Sequence, residues 1–353
     1  MIGQRIKLAR EVLGITQSEL ADVLGTTQSG VASMEAGIYQ PSQKYLETIA
    51  RRTGFTVGFF AKGEPPEFPF GSILYRVQSA VKQAPRTKAH AIAHLGFELA
   101  VSLADRLKKI PVNIPKGSDE GPQRAAQIAR ASLGLSPDTP IRGILRCLER
   151  NGVMVFSIPM EVDGFDGFSA WAGRDPDRPV IALLGGKTAY REVFTSAEEL
   201  GHLVMHSPLR VDAKQADKEA RAFAQEFLLP AEAMQGEMQR PITLTSLSAI
   251  KPRWGVSLAF LAKRAESLSL INPNQHRYLI QQMRMNWGAK SEPGDEKVMA
   301  EKPLLIRKMA SMLYGDPIDL PRLVRDSGLP LAMLHDILGI EQAPGKLLEF
   351  KKA

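Results

Sequence analysis

The sequence has little of several features that define whole classes of protein. One cysteine, Cys147, among 353 residues excludes an intrachain disulfide framework and a cysteine-rich metal or iron–sulfur site. No apolar run reaches the ~18 residues that a membrane helix needs, and no apolar segment follows Met1–Arg5 as it would in a secretory signal. These absences predict a cytoplasmic protein that makes no membrane contact.

The excess of positive charge is also small where it would be most informative. The net charge of +7 allows an acidic partner such as nucleic acid. Residues 1–60, however, carry six Lys/Arg and five Asp/Glu, and six minus five leaves +1. DNA binding by this part must therefore be argued from its residue pattern. The length suffices for two or three domains.

Apolar residues at helical spacing predict four short helices in the first sixty residues. They span residues 2–13, 17–24 and 28–34, and the fourth begins after Ser42. Thr16 and Glu19 form a capping box, Thr27 is an N-cap, and Gly25 provides the turn between the second and third helices. Two short helices joined in this way can place the second in the major groove of DNA.

Polar residues at the start of the third helix are candidate base contacts, since Gln can pair with adenine and Ser with several base edges. A Gln at the start of the preceding helix is placed to meet a phosphate. The predicted DNA-binding residues are Gln17, Thr27, Gln28, Ser29 and Ser33. The alternative is a four-helix bundle that makes protein contacts alone.

The segments 17–21, 25–31 and 35–37, with Pro41, resemble the XRE (lambda-repressor/Cro-like) family over about residues 2–60. The resemblance implies Gln28 and its neighbours as base readers and a double-stranded DNA operator as partner. The predicted recognition helix carries no Lys or Arg, so one copy should bind weakly. A homodimer that reads two half-sites is therefore expected.

Residues 62–71 are rich in proline and predict a linker. A helical region is predicted from Ser72 to about Leu107, broken near Pro85. His90 and His94 lie four residues apart and could form a metal pair, but no third ligand is near in sequence, so we interpret the spacing as chance. The predicted domains are residues 1–61, 62–122, 123–287 and 288–353.

A small sheet is predicted from short strands at 152–158, 167–171 and 179–183, followed by a helix over 190–206. This helix contains Glu198-Glu199-Leu200-Gly201-His202, the zinc-peptidase pattern H-E-x-x-H with Glu in the first position. Glu198 and His202 share a face, and Glu199 could hold a water as general base. Glu219 could approach from the next helix as a third ligand, and His206 is either an alternative ligand or a polar helix end.

The stretch from 151 to about 230 resembles the ImmA/IrrE family of metallopeptidase-like proteins, through the motifs at 194–206, 219–224 and 228–230. The resemblance implies zinc, with His202 and Glu219 as ligands and Glu199 as general base. Glu198 departs from the family pattern at the first ligand. A carboxylate can bind zinc, but two carboxylates and one histidine make a harder site and a less positive metal.

Further helices are predicted at 244–268, interrupted at 253–255, and at 274–285, 304–313 and 320–338. The rhythm of residues 319–334 is like a helix-turn-helix, which we interpret as packing or dimerisation. The predicted fold is mainly α with a small α+β domain. An N-terminal lambda-repressor-like helix-turn-helix bundle precedes a zincin-like α+β domain and C-terminal helices.

The resemblances together predict a DNA-binding transcriptional regulator, repressor-like or antitoxin-like, of the kind found in phage and toxin–antitoxin settings. Its peptidase-like domain, with a degraded motif, would sense a ligand or a protein partner. One alternative is an active zinc endopeptidase that cleaves a repressor. The other is a regulator that senses an acyl-CoA-type metabolite, although nothing in the sequence defines such a pocket.

Overall fold

The computed structural model describes residues 2–72, 82–107, 110–173, 177–206, 212–288, 292–295 and 300–341. These residues are mainly helical and include a three-stranded sheet, which confirms the predicted fold class. Within the same residues, every helix is too short or too polar to cross a bilayer.

The first sixty residues form a compact helical head, as predicted. Its helices are α1 (Ile2–Leu13), α2 (Gln17–Leu24), α3 (Gln28–Glu35), α4 (Gln43–Thr53) and α5 (Val57–Ala61). The capping box is present, because the Thr16 hydroxyl accepts from the Glu19 N–H while the Glu19 carboxylate accepts from the Thr16 N–H. Thr27 caps α3 by accepting from the Gly30 N–H. The short α5 was not predicted.

The connector ends in a long helix, α6 (Gln83–Ala104), that contacts both α1 and the sheet. The predicted break near Pro85 agrees with the start of α6, because Lys82 is not helical and Pro85 lies in the first turn of the helix that follows. There a backbone N–H has no helical acceptor to lose, so proline is tolerated. The predicted helical stretch at 73–81 lies outside the described residues.

The sheet lies between two apolar cores. It consists of β1 (Met154–Ile158), β2 (Gly167–Ala172) and β3 (Arg178–Leu184) in the order β1-β3-β2, with β1 parallel and β2 antiparallel to β3. Because side chains alternate along a strand, Phe156 and Ala182 face the core shared with the head and α6. Val155 and Ile181 face the opposite core.

The second core is built from helices on the far side of the sheet. They are α7 (Pro122–Ser132), α8 (Ile144–Arg150), α9 (Ala189–Met205), α10 (Ala213–Leu228), α11 (Ala231–Glu237), α12 (Leu244–Trp254), α13 (Leu258–Ser267) and α14 (Pro273–Trp287). Gly255, in the left-handed region, ends α12 and confirms the predicted interruption. α9 packs between β2 and α10, which places the motif helix at the centre of the domain.

The last helices return to the head. They are α15 (Leu305–Tyr314), α16 (Leu320–Ser327) and α17 (Leu331–Leu338), and they share the core of α1 and α6. The Thr56 N–H donates to the Gly328 carbonyl at 3.0 Å, and Lys62 Nζ donates to the Ser327 carbonyl at 2.6 Å. The region with the helix-turn-helix rhythm therefore packs within its own chain.

Candidate functional site

The predicted DNA-binding residues cluster at the start of α3. Thr27, Gln28 and Ser29 are exposed, and Ser33 is half-buried. Gln28 Nε2 donates to Gln17 Oε1 at 2.7 Å, so the two glutamine amides form one surface unit. The structure thus brings four of these side chains to one end of the helix pair, with Ser33 one turn further along.

A partly buried ion pair, which was not predicted from the sequence, holds this unit in place. Gln17 Nε2 donates to Glu35 Oε2 at 2.9 Å, and Arg10 donates to the two oxygens of Glu35 at 2.6 and 3.0 Å. Charge-assisted bidentate contacts fix geometry as well as adding energy. These hydrogen bonds form a continuous chain from the core of the head to its surface, called the relay below. It runs through Arg10, Glu35, Gln17 and Gln28. The signal in the sequence was Glu35, an acidic residue next to the buried apolar positions Val31 and Met34 of α3.

In the peptidase-like domain, Glu199 lies at the meeting point of α9, β2 and the connector. Its side chain is 0% exposed. Glu199 Oε2 accepts hydrogen bonds at 2.8 Å from the hydroxyls of Ser169 in β2 and Ser72 in the connector. One carboxylate oxygen of the predicted general base is therefore already hydrogen-bonded to two protein hydroxyls.

The other predicted ligands have protein partners as well. Glu198 Oε1 accepts from Arg221 Nε of α10 at 3.1 Å. His206 Nε2 donates to Glu219 Oε2 at 3.0 Å, and the Nδ1 atoms of His202 and His206 are 3.0 Å apart. The structure thus brings Glu219 to His206 instead of His202.

These contacts bear on whether a zinc ion suits the site. A catalytic zinc needs three donors that converge on one point. Within the described ranges, no three His, Cys, Asp or Glu side chains form such a group. The guanidinium of Arg221 meanwhile supplies the Glu198 carboxylate with a cation. As arranged here, Glu198, His202 and Glu219 do not fit a zinc ion.

A separate cavity of about 360 Å³ lies beside α8, α9 and α12. Glu192, Glu301 and Trp254 line it, together with two arginines. Burial, and then the nearby carboxylate of Glu301, raises the pKa of Glu192 to about 7. The two arginines offset the two carboxylates, so the charge of this cavity gives no preference for the phosphates of an acyl-CoA-type ligand.

The two connector histidines hold the linker against α6. His94 Nε2 donates to the Pro66 carbonyl at 2.7 Å, and His90 Nε2 donates to the Phe68 and Pro69 carbonyls at 3.1 and 3.3 Å. Each imidazole uses Nε2 on the backbone of the linker. The pair is therefore a clamp for the connector, which the i,i+4 spacing alone could not reveal.

Because of this histidine clamp, we expect the free energy of unfolding to fall in mild acid. Burial, with smaller effects of His94 and of Lys7 from α1, lowers the pKa of His90 from its ordinary 6.5 to about 4. Because the unfolded chain then binds more protons, stability is complete above pH 6.5 and falls as the pH drops towards 4, by roughly 3 kcal/mol in total. Denaturation of His90→Gln should show a flatter acid limb than the unmodified chain. Equal slopes would contradict this assignment.

Comparisons with known proteins agree with these two parts. A helix-turn-helix family model matches residues 6–60, and the model of the IrrE N-terminal-like domain matches residues 148–266. The SPbeta prophage-derived uncharacterized HTH-type transcriptional regulator YonR of Bacillus subtilis (strain 168) is 34% identical over 74 residues, which are 21% of this chain and 68% of that protein. Both resemblances are thereby confirmed. The chain belongs to the XRE-type helix-turn-helix regulators and carries an IrrE/ImmA-like domain behind its DNA-binding head.

Proposed function

We propose that this chain is a repressor-like transcriptional regulator that binds a double-stranded DNA operator as a homodimer, and that its IrrE/ImmA-like domain senses a protein partner without cleaving it. The observation that carries the DNA-binding part is the relay that ends in Gln17 and Gln28. It presents two amides on the exposed side of the head. The proposal places the protein in the cytoplasm, where its operator is.

The relay suits base reading because it limits the freedom of both glutamines. A side chain that is already oriented loses less entropy on binding, and a glutamine amide can pair bidentately with adenine. Since α3 has no Lys or Arg, little of the affinity would come from phosphate contacts made by this helix. That favours two heads on two half-sites, whose spacing then adds to the specificity.

The sensing part is supported by the acids of the degraded motif. Glu199 is bonded to two serines and Glu198 to Arg221. An active peptidase needs Glu199 to hold the attacking water, and it needs a metal ion in the site to supply positive charge. In this chain both carboxylates are engaged by protein groups, which favours a binding role over the endopeptidase alternative.

Selection of duplexes from a random pool should enrich one DNA sequence, and Gln28→Ala should then weaken binding to it by at least about fivefold, since a bidentate base contact contributes about 1–3 kcal/mol. Fluorescence anisotropy with the selected duplex measures the change. Gln4→Ala, an exposed glutamine on α1, is the matched control and should leave the affinity unchanged. No enrichment, or unchanged binding by the Gln28 variant, would overturn the proposal.

A further inference from the structure

The connector segment, defined here as residues 66–72, lies along the outer edge of β2. β2 is at one end of the strand order and pairs with β3 along its other edge. The Gly173 N–H, just after β2, donates to the Glu67 carbonyl at 2.7 Å, and the Ser169 N–H donates to Ser72 Oγ at 2.8 Å. Contacts at 67 to 173 and 72 to 169 mean that the segment runs antiparallel to β2, where a fourth strand would lie.

Gly71 allows this close approach. Its φ is +56°, and a Cβ there would lie 2.0 Å from the Ser169 carbonyl oxygen and 2.6 Å from the Ala170 Cβ. Both the left-handed backbone and the absence of a side chain are therefore required. The edge of β2 has room at this position for glycine alone.

The next residue reaches the degraded motif. The Ser72 side chain is 2% exposed, and its hydroxyl accepts from the Ser169 N–H and donates to Glu199 Oε2 at 2.8 Å. One hydroxyl thus satisfies both an edge N–H and a buried carboxylate. The recognition element is a glycine followed by a small hydroxyl residue, in an extended chain.

Much of what holds the segment is main-chain chemistry that other sequences can reproduce. The Gly173 N–H and both clamp histidines bind carbonyl oxygens of the segment. Carbonyls are common to every extended peptide, and such peptides bind readily to exposed sheet edges. Phe68 is the main apolar anchor, with its ring stacked 5.3 Å from that of His94.

We propose that the outer edge of β2, with Glu199 at its end, is a docking groove for an extended segment of a partner protein, and that the connector segment occupies it as a built-in competitor. The partner segment would carry Gly and then Ser or Thr where Gly71 and Ser72 now lie. This inference rests on the proposed sensing function and names its partner. Because the connector joins α5 to α6, its displacement alters how the head is held.

The experiment uses a fluorescent synthetic peptide of residues 64–72 and the full chain. In the unmodified chain the tethered connector competes at high effective concentration, so the peptide binds weakly. Gly71→Val, which forces the connector off the edge, should bind the peptide about a hundredfold more tightly. Gly63→Ala is the matched control, since a Cβ there meets nothing within 4 Å, and it should behave as the unmodified chain. A peptide with Ser72→Ala should lose most of the gain.

Hydrogen exchange of the fragment 167–173 gives a second readout. Exchange should be faster in Gly71→Val and slow again when the peptide is added. Should that variant fail to fold, Ser72→Ala, which removes only the hydroxyl, should show the same changes more weakly. A folded variant in which the β2 edge shows fast hydrogen exchange but binds no peptide would overturn the proposal. A dimer in which two chains swap their connector segments would overturn it as well. Either failure would leave Gln28-dependent DNA binding intact, so the two proposals are tested separately.

Discussion

Glu198→His combined with Arg221→Ala is expected to give a protein that binds about one zinc per chain, whereas the unmodified chain is expected to purify without zinc. In the unmodified protein the guanidinium of Arg221 lies 3.1 Å from Glu198 and would repel a divalent cation at the same carboxylate. The double variant removes that charge and provides the imidazole donor that zinc prefers to a second carboxylate. Zinc affinity should rise at least tenfold over that of the unmodified chain.

The chain offers a clean way to test this expectation. The Arg221 side chain is 59% exposed, so its loss should cost little stability. Elemental mass spectrometry on tag-free protein, before and after zinc is offered, gives the metal content. Lys214→Ala removes a charge from the same helix away from the motif and should bind no zinc.

Near one zinc per chain in the unmodified protein would contradict the expectation. Glu198 would then serve in a working site, and Arg221 would have to swing aside. The endopeptidase alternative would gain ground, and Glu199→Gln would become the decisive variant. In that case cleavage of a peptide should stop while zinc remains bound.

Features formed by residues close together in sequence could be predicted, whereas features formed by residues distant in sequence could not. The capping box of Thr16 and Glu19 and the turn at Gly25 involve residues at most a few positions apart, and both features were predicted. Helix spacing likewise placed Glu198 and His202 on one helix, α9. The order of β1, β2 and β3 could not be derived, because strand pairing is set by contacts distant in sequence.

The partners of the motif residues were out of reach for the same reason. Arg221 lies 23 residues beyond Glu198, and its approach depends on the register of α10 against α9. Ser72 lies 127 residues before Glu199 and reaches it through a proline-rich segment with no periodicity to read. The identity of a carboxylate's partner, more than its position, decides whether it serves chemistry or binding.

Arg5→Met is expected to lower the free energy of unfolding by about 3–5 kcal/mol, the cost of breaking a buried ion pair. The Arg5 side chain is 1% exposed and donates to Glu98 of α6 at 2.9 and 3.1 Å. It also donates to the Gly63 carbonyl at 2.7 and 2.9 Å, and its guanidinium lies 4.9 Å from the centre of the Phe59 ring. One side chain thus ties α1, the end of α5, the connector and α6 together. Methionine fills part of the volume but leaves Glu98 and the carbonyl without their donor.

Urea denaturation followed by far-UV circular dichroism measures the loss. Lys7→Met, on the same helix but with a side chain 55% exposed, should change stability by less than about 0.5 kcal/mol. Arg5→Met with Glu98→Leu removes both charges and should recover part of the loss, because the remaining acid is no longer left without its cation. A double variant as unstable as Arg5→Met would instead place the energy in the carbonyl and ring contacts. In that case Arg5 would stabilise the protein mainly through the linker and less through α6. Displacement of the connector by the peptide should then lower the free energy of unfolding by a similar amount.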